Sequence, residues 1–351
     1  MKLAKLTALF AAAVMVCTPV MAEEAAPAEG AAVSAEAVQG DGTYISELTG
    51  EPISAELQHQ RPIAVMVDNE SIAYPHYGVA EGDVVYELMN STANGRITRL
   101  MVLLKDWGKV QQMGSIRSVR PTNIMLAAEW NAVICHDGGP FYVDEYFAKD
   151  YGKDHFSGTF SRVDNGKSME FTEYILAGDL DSNFNNSGIS RTYTNPAAEN
   201  PHFNFAPYGQ KVDLAATGTA IPANQVVLPM EHTNSTLTYN ASTGTYDLSC
   251  YGNLHVDAED NQTATFKNVI IQDCSFTEYD ENGYMVYNVV QMGQPGYYLT
   301  EGQAIPIVWT KQSEDGVTKY FDKNGNPLTI NTGKTYITLV PADTWGSLAI
   351  S

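Results

Sequence analysis

The sequence has 351 residues with 41 acidic against 20 basic side chains, a formal charge of −21. A surface of that sign repels a phosphate backbone, which argues against nucleic acid as a partner. The length suits two domains of ordinary size, and 44% hydrophobic residues with 10% aromatic ones can fill their cores.

Residues 1–22 read as a cleaved signal peptide. Lys2 and Lys5 precede the apolar run Leu6 to Val16, too short for a bilayer-spanning helix, and Val20-Met21-Ala22 offers a small-residue cleavage site. Cleavage removes two lysines and no acid, leaving 18 basic against 41 acidic residues, or −23, and no transmembrane span. The expected location is extracytoplasmic, secreted or associated with the cell envelope. Cys17 fits a lipid anchor poorly, because bulky Val16 stands where a lipoprotein signal takes a small residue. Residues 23–59, rich in Ala, Glu, Pro and Gly, read as a flexible acidic spacer.

Residues 60–205 have the texture of an α/β domain. The continuous run Ile63 to Val67 predicts a strand covered on both faces, ending at Asp68-Asn69. Further strands are expected over 83–89 and 97–104, joined by a tight turn at Asn94-Gly95. Pro121 suits the first turn of a helix reaching about Trp130. A buried strand over 132–135, a turn over 136–140, a short helix over 141–151, a strand over 158–163 and a helix over 168–181 follow. Asp179 to Asn183 mimics a calcium loop but lacks its glycine and bidentate glutamate, and reads as a polar loop. Residues 206–225, with Pro207, Gly209, Gly218 and Pro222, read as a linker. Residues 226–344 show short strands punctuated by Thr243-Gly244, Asn282-Gly283 and Asn324-Gly325, the pattern of a smaller β-rich domain. The overall class is an α/β (α+β) N-terminal domain with a mostly buried sheet, followed by that β-rich C-terminal domain. Cys135, Cys250 and Cys274 are too few for a disulfide scaffold; Cys250 and Cys274 either pair across strands or serve as small apolar residues.

All seven arginines lie in the N-terminal domain, and the C-terminal domain uses only lysine. Arginine is suited to bidentate, partly buried recognition of carboxylate or phosphate. Arg99, Arg117, Arg120 and Arg162 sit in or beside predicted strands, so each must find an anion. Either Asp68, Glu87, Asp137 and Asp164 supply those anions internally, or some of the arginines face a ligand, helped by the helix start after Pro121. His136-Asp137-Gly138-Gly139 ends a predicted strand and should lie beside Gly114 to Pro121. His136 has the chemistry of a general base, with Asp137 beside it, and Gly138 permits close backbone approach. Ser115 and Ser118 are conceivable nucleophiles, but no Gly-x-Ser-x-Gly or Ser-x-x-Lys accompanies them, and helix capping is the simpler role. His255 and Asp257 share a strand face, at an interdomain cleft or on a solvated hairpin. No His-Glu-x-x-His, Cys-x-x-Cys, Walker loop or dinucleotide fingerprint is present, so no metal and no cofactor is expected.

Several ordered motifs resemble the YerB-like family of bacterial extracytoplasmic proteins, often lipoproteins, of unknown function. They are Arg61 to Asn69, Gly82 to Glu87, Ile97-Thr98-Arg99, Gly114 to Pro121 and His136 to Gly139, then Gly252 to Asp257, Lys267 to Ile271, Trp309 to Lys311, Tyr320 to Gly325 and Gly333 to Ile337. Ser161-Arg162-Val163-Asp164 departs from the family pattern, since no histidine-containing segment follows it. The resemblance implies a two-domain architecture outside the cytoplasm and no activity. The residues themselves point to binding of an anionic envelope-related ligand by Arg99, Arg117, Arg120 and Arg162, with His136, Asp137 and Gly138 lining the site. Two alternatives remain: an envelope hydrolase or transferase using His136 or Ser115, and a module that docks an envelope protein without a small-molecule site.

Overall fold

The computed structural model describes residues 42–351. The signal-peptide reading of residues 1–22 and most of the proposed spacer lie outside the described residues. Among the described residues no helix is long and apolar enough to cross a membrane.

An 11-stranded sheet organises the molecule. In chain order its strands are β1 (Ile63–Asp68), β2 (Val84–Met89), β3 (Thr98–Leu104), β4 (Val133–His136), β5 (His155–Ser157), β6 (Ile221–Pro222), β7 (Asn268–Cys274), β8 (Gln294–Thr300), β9 (Gln303–Thr310), β10 (Lys319–Asp322) and β11 (Thr335–Pro341). Their spatial order is β6-β9-β8-β7-β11-β2-β3-β1-β4-β5, with β10 also on β9. The first five strands belong to the N-terminal domain recognised in the sequence and the last five to the C-terminal one, with β6 supplied by the segment between them. They meet where β11 runs parallel to β2, Thr335 opposite Val84 through Leu339 opposite Leu88. On its other side β11 runs parallel to β7.

The continuous apolar strands are buried on both faces, as their lack of alternation requires. On one face Ala64, Met66, Met101 and Leu103 pack under helix α1 (Pro121–Glu129), whose Ile124 and Leu126 share that core. On the other, Val65, Val67, Leu100 and Val102 meet Met113, Ile175 and Phe184, and a second, six-stranded sheet contributes Val226, Leu237 and Leu248. Each such aliphatic side chain, fully buried, stabilises the fold by about 1.5–3 kcal/mol before entropy is counted.

Glu87 is a junction between the halves. It is wholly buried, and its Oε1 accepts from Asn69 Nδ2 (3.1 Å), Thr98 Oγ1 (2.9 Å), Thr233 Oγ1 (3.0 Å) and Ser235 Oγ (2.9 Å), while Tyr336 donates to Oε2. No arginine is its partner, contrary to one sequence expectation: the carboxylate is satisfied by five neutral donors instead.

Several sequence expectations need correction. The spacer does not extend to residue 59. Thr43–Ile45 and Pro52–Ser54 pair as a hairpin, Leu48 enters the core, and buried Glu47 meets Lys105 Nζ at 2.5 Å. The helix expected over 168–181 is two elements. Glu173–Leu176 forms a strand beside Gln112–Gly114, then Gly178, at φ 88, turns the chain into helix α2 (Asp179–Ser187), which replaces the polar loop read there. The turn at Asn94-Gly95 is part of an eight-residue connection in which Asn94, Gly95 and Arg96 are all left-handed. The linker is structured: Ile221–Pro222 joins the main sheet and Leu214 the core. His255 and Asp257 are buried rather than solvated, with His255 Nε2 3.3 Å from His76 Nδ1. The three described cysteines are all free and buried, so Cys250 and Cys274 are unpaired.

Candidate functional site

β1 and β4 run parallel and β3 antiparallel to β1, so the end of β1, the end of β4 and the start of β3 share one edge. That edge is where α/β sheets build sites. β1 and β4 pair only from Ile63–Val133 to Val65–Cys135. Beyond that the segment 115–119 wedges between them. Ser115 O accepts from Asp68 N (2.9 Å) and Met66 O from Arg117 N (2.9 Å) on one side; Arg117 O accepts from Asp137 N (3.0 Å) and Gly138 O from Val119 N (3.1 Å) on the other. Thus Gly114 to Pro121 and His136 to Gly139, separated in the chain by α1 and β4, are joined by backbone hydrogen bonds.

The wedge brings together four arginines with different surroundings. Arg99 stands directly across from Asp68 in the β1–β3 register, with Nη1 2.8 Å from Asp68 Oδ2, an ion-pair contact without hydrogen-bond alignment. Arg117 Nε donates to the same Oδ2 at 2.7 Å, and its Nη2 lies 3.0 Å from Glu170 Oε2. Burial pushes the Asp68 carboxyl up, but Arg99, the Glu70 amide and Arg117 together outweigh it and hold the group below its usual range. Arg162 pairs with Asp137 Oδ2 (2.8 Å) and Glu173 Oε2 (2.9 Å). Glu173 is nevertheless pushed up to about 7, by burial first and by Asp137 beside it. Asp164 pairs with none of the four arginines.

Arg120 differs. It is 5% exposed, and among the described residues no carboxylate lies within ion-pair distance. Its Nη1 donates to Ser118 Oγ and Val119 O, each at 2.9 Å, and its Nε has no partner. The guanidinium lies 4.2 Å from the centre of the Tyr284 ring. Burial, then Arg99 and Arg117, lower its pKa to about 10, against the opposing influence of Tyr284 and Tyr142. The buried Tyr142 hydroxyl is likewise unpartnered. The Arg120 amide donates to Asn123 Oδ1 at 2.9 Å and so helps start α1.

His136 is buried, and both ring nitrogens are engaged: Nδ1 with Gly138 O at 2.8 Å and Nε2 with His155 Nδ1 at 3.0 Å. Ser115 Oγ is buried without a hydrogen-bond partner, so His136 and Ser115 form no dyad. Gly138 uses its carbonyl for His136 and Val119 and donates its amide to Ser157 Oγ (3.2 Å), the arrangement of a tight turn. Burial holds the His136 pKa down to about 4, with His155 adding to the effect. Between pH 6.5 and 4 the unfolded chain therefore binds a proton that the folded one does not, and stability falls as pH falls through that window. An NMR titration of the His136 ring should show a midpoint near 4 rather than 6.5.

Sequence reasoning missed Tyr142, Tyr279, Tyr284 and His155. Tyr279 and Tyr284 flank the turn between paired strands Phe276–Glu278 and Met285–Tyr287, over 100 residues from the arginines. A cavity of about 320 Å³ on the opposite edge, lined by Glu81, Asp83, Asp106 and Glu259 with Lys109 and Lys334, holds more acidic than basic groups and suits an anion poorly.

The chain belongs to the family described as protein of unknown function DUF3048: its N-terminal domain matches residues 48–190 and its C-terminal domain residues 225–337. It is similar to the protein of Bacillus subtilis (strain 168) that carries the name "Putative lipoprotein YerB", 26% identical over 306 residues, 84% of this chain and 85% of the relative. The crystal structure of YerB from Bacillus subtilis has the same fold, with a TM-score of 0.71 at 21% identity, covering 87% of this chain and 99% of that one.

Proposed function

We propose that the protein works outside the cytoplasm, at the cell envelope, and binds an anionic ligand at the edge formed by β1, β3 and β4, with Arg120 as its anchor. The observation that carries this reading is a buried guanidinium with no carboxylate of its own, within electrostatic reach of an unpartnered tyrosine hydroxyl. Leaving a buried charge unpaired is costly, and a ligand anion would relieve that cost. Arg99, Arg117 and Arg162 are already paired and serve as the frame. The signal-like N-terminus and the name of the Bacillus subtilis relative support the location. Nucleophilic chemistry by Ser115 has less behind it, since no base accompanies the hydroxyl.

Acetate or phosphate titrated into the full chain should shift the Arg120 Nε–Hε NMR resonance in a saturable manner. Arg120→Gln should reduce that binding at least tenfold. Tyr142→Phe, which keeps the ring, should weaken it several-fold. An Arg120 resonance unmoved by either anion would defeat the reading.

A further inference from the structure

The ligand's charge and the character of its uncharged part can be read from what surrounds Arg120; this rests on the anion-binding reading above. Arg99 and Arg117 share Asp68 and Glu170, and Arg162 holds Asp137 and Glu173. These four carboxylates match the four arginines in number, so the cluster has no surplus for a polyanion; Arg120 alone has no carboxylate of its own, and the group it meets is singly charged, a carboxylate or a phosphodiester, rather than a di- or triphosphate.

Beside Arg120 the surface is aromatic. The Tyr142 and Tyr279 rings lie 5.0 Å apart, the Phe141 and Tyr142 rings 5.4 Å apart, and Tyr284 lies under the guanidinium. Phe141 is 84% exposed and Tyr279 49%. Large apolar rings left in water beside a buried cation mark a binding surface more often than a packing accident. The rim is also rich in hydrogen-bond acceptors: the exposed carboxylate of Glu170 and the partly exposed one of Asp137 border the same arginines. Aromatic faces that stack on ring C–H groups, carboxylates that accept from hydroxyls, and one guanidinium without a carboxylate describe a saccharide carrying one negative charge. We propose that the site takes a singly charged anionic saccharide, with its charged group on Arg120 and the Tyr142 hydroxyl and its sugar ring on the shelf of Phe141 and Tyr279.

The test uses the full chain and calorimetric or NMR titration with D-glucuronate, glucose bearing a methyl phosphodiester, glucose and acetate. At least one charged sugar should bind tenfold or more tighter than both acetate and glucose, and which of the two does so distinguishes a carboxylated from a phosphodiester-linked source. Tyr279→Ala and Phe141→Ala alter exposed side chains and should leave folding intact. Each should weaken the charged sugar five- to tenfold while acetate binding stays unchanged. Equal affinity for acetate and both charged sugars, or indifference of the charged sugars to both shelf variants, overturns the saccharide assignment and leaves anion binding standing. Glucose binding as tightly as the charged sugars, or no binding by any probe, overturns both readings.

Discussion

Replacing Glu87 by alanine should lower the unfolding free energy by roughly 3–5 kcal/mol, among the larger losses a single side chain can cause. The carboxylate gathers Asn69 and Thr98 from one half of the chain and Thr233, Ser235 and Tyr336 from the other, all buried. Removing it strands five donors where water cannot reach them. Glu87→Gln keeps one acceptor oxygen and should cost less, roughly 1–3 kcal/mol. Urea titration followed by tryptophan fluorescence measures both. If Glu87→Ala unfolded at the wild-type midpoint with the wild-type slope, the group would not be joining the halves. If the midpoint is unchanged but the slope falls, the halves have become separately unfolding units.

The second large effect belongs to Asp68. It is fully buried and accepts from Arg117, with Arg99 2.8 Å away. Asp68→Asn leaves Arg99 without its carboxylate and Arg117 with only exposed Glu170, next to an Arg120 that never had one. Breaking a buried ion pair on one side costs roughly 3–5 kcal/mol. The distinctive expectation is rescue. Phosphate at tens of millimolar should restore part of the lost stability in Asp68→Asn beyond its general stabilisation of the wild type, because the variant presents three guanidiniums to one anion. Equal phosphate responses in the two proteins would show that the cluster is closed to ions.

How much of this was readable beforehand differs by element. Ile63 to Val67 declared itself, because five apolar residues in a row leave no polar face and only a sheet covered on both sides accommodates that. The link between Gly114–Pro121 and His136–Gly139 was legible as two polar turns flanking apolar strands. Asp68 and Asp137 were correctly expected to neutralise arginines, whereas Glu87 and Asp164 were not distinguishable from them by residue type alone. Residues 168–181 misled because Met169 to Phe171 and Asp179 to Phe184 are helix-compatible, and the strand between them is fixed by its partner Gln112–Gly114. Tyr279 and Tyr284 carried no local signal. Their place beside Arg120 follows from tertiary packing of a hairpin that any β-rich sequence of this composition contains, and this is why the aromatic half of the site emerged only from the fold.

The position of β11 has a consequence in time. This strand lies between β7 and β2, yet it comes after every other strand of the sheet in the chain. As the polypeptide emerges from the ribosome or a translocation pore, the first half can form its own strands early, but β2 then presents a long, apolar, unpaired margin. β7 presents another. Both stay open until residues 335–341 appear and slide between them. An assembly sequence of that kind invites pairing with neighbouring chains during the wait. A released chain ending just before residue 335 should therefore aggregate or recruit holdase chaperones far more readily than one that includes residues 335–341.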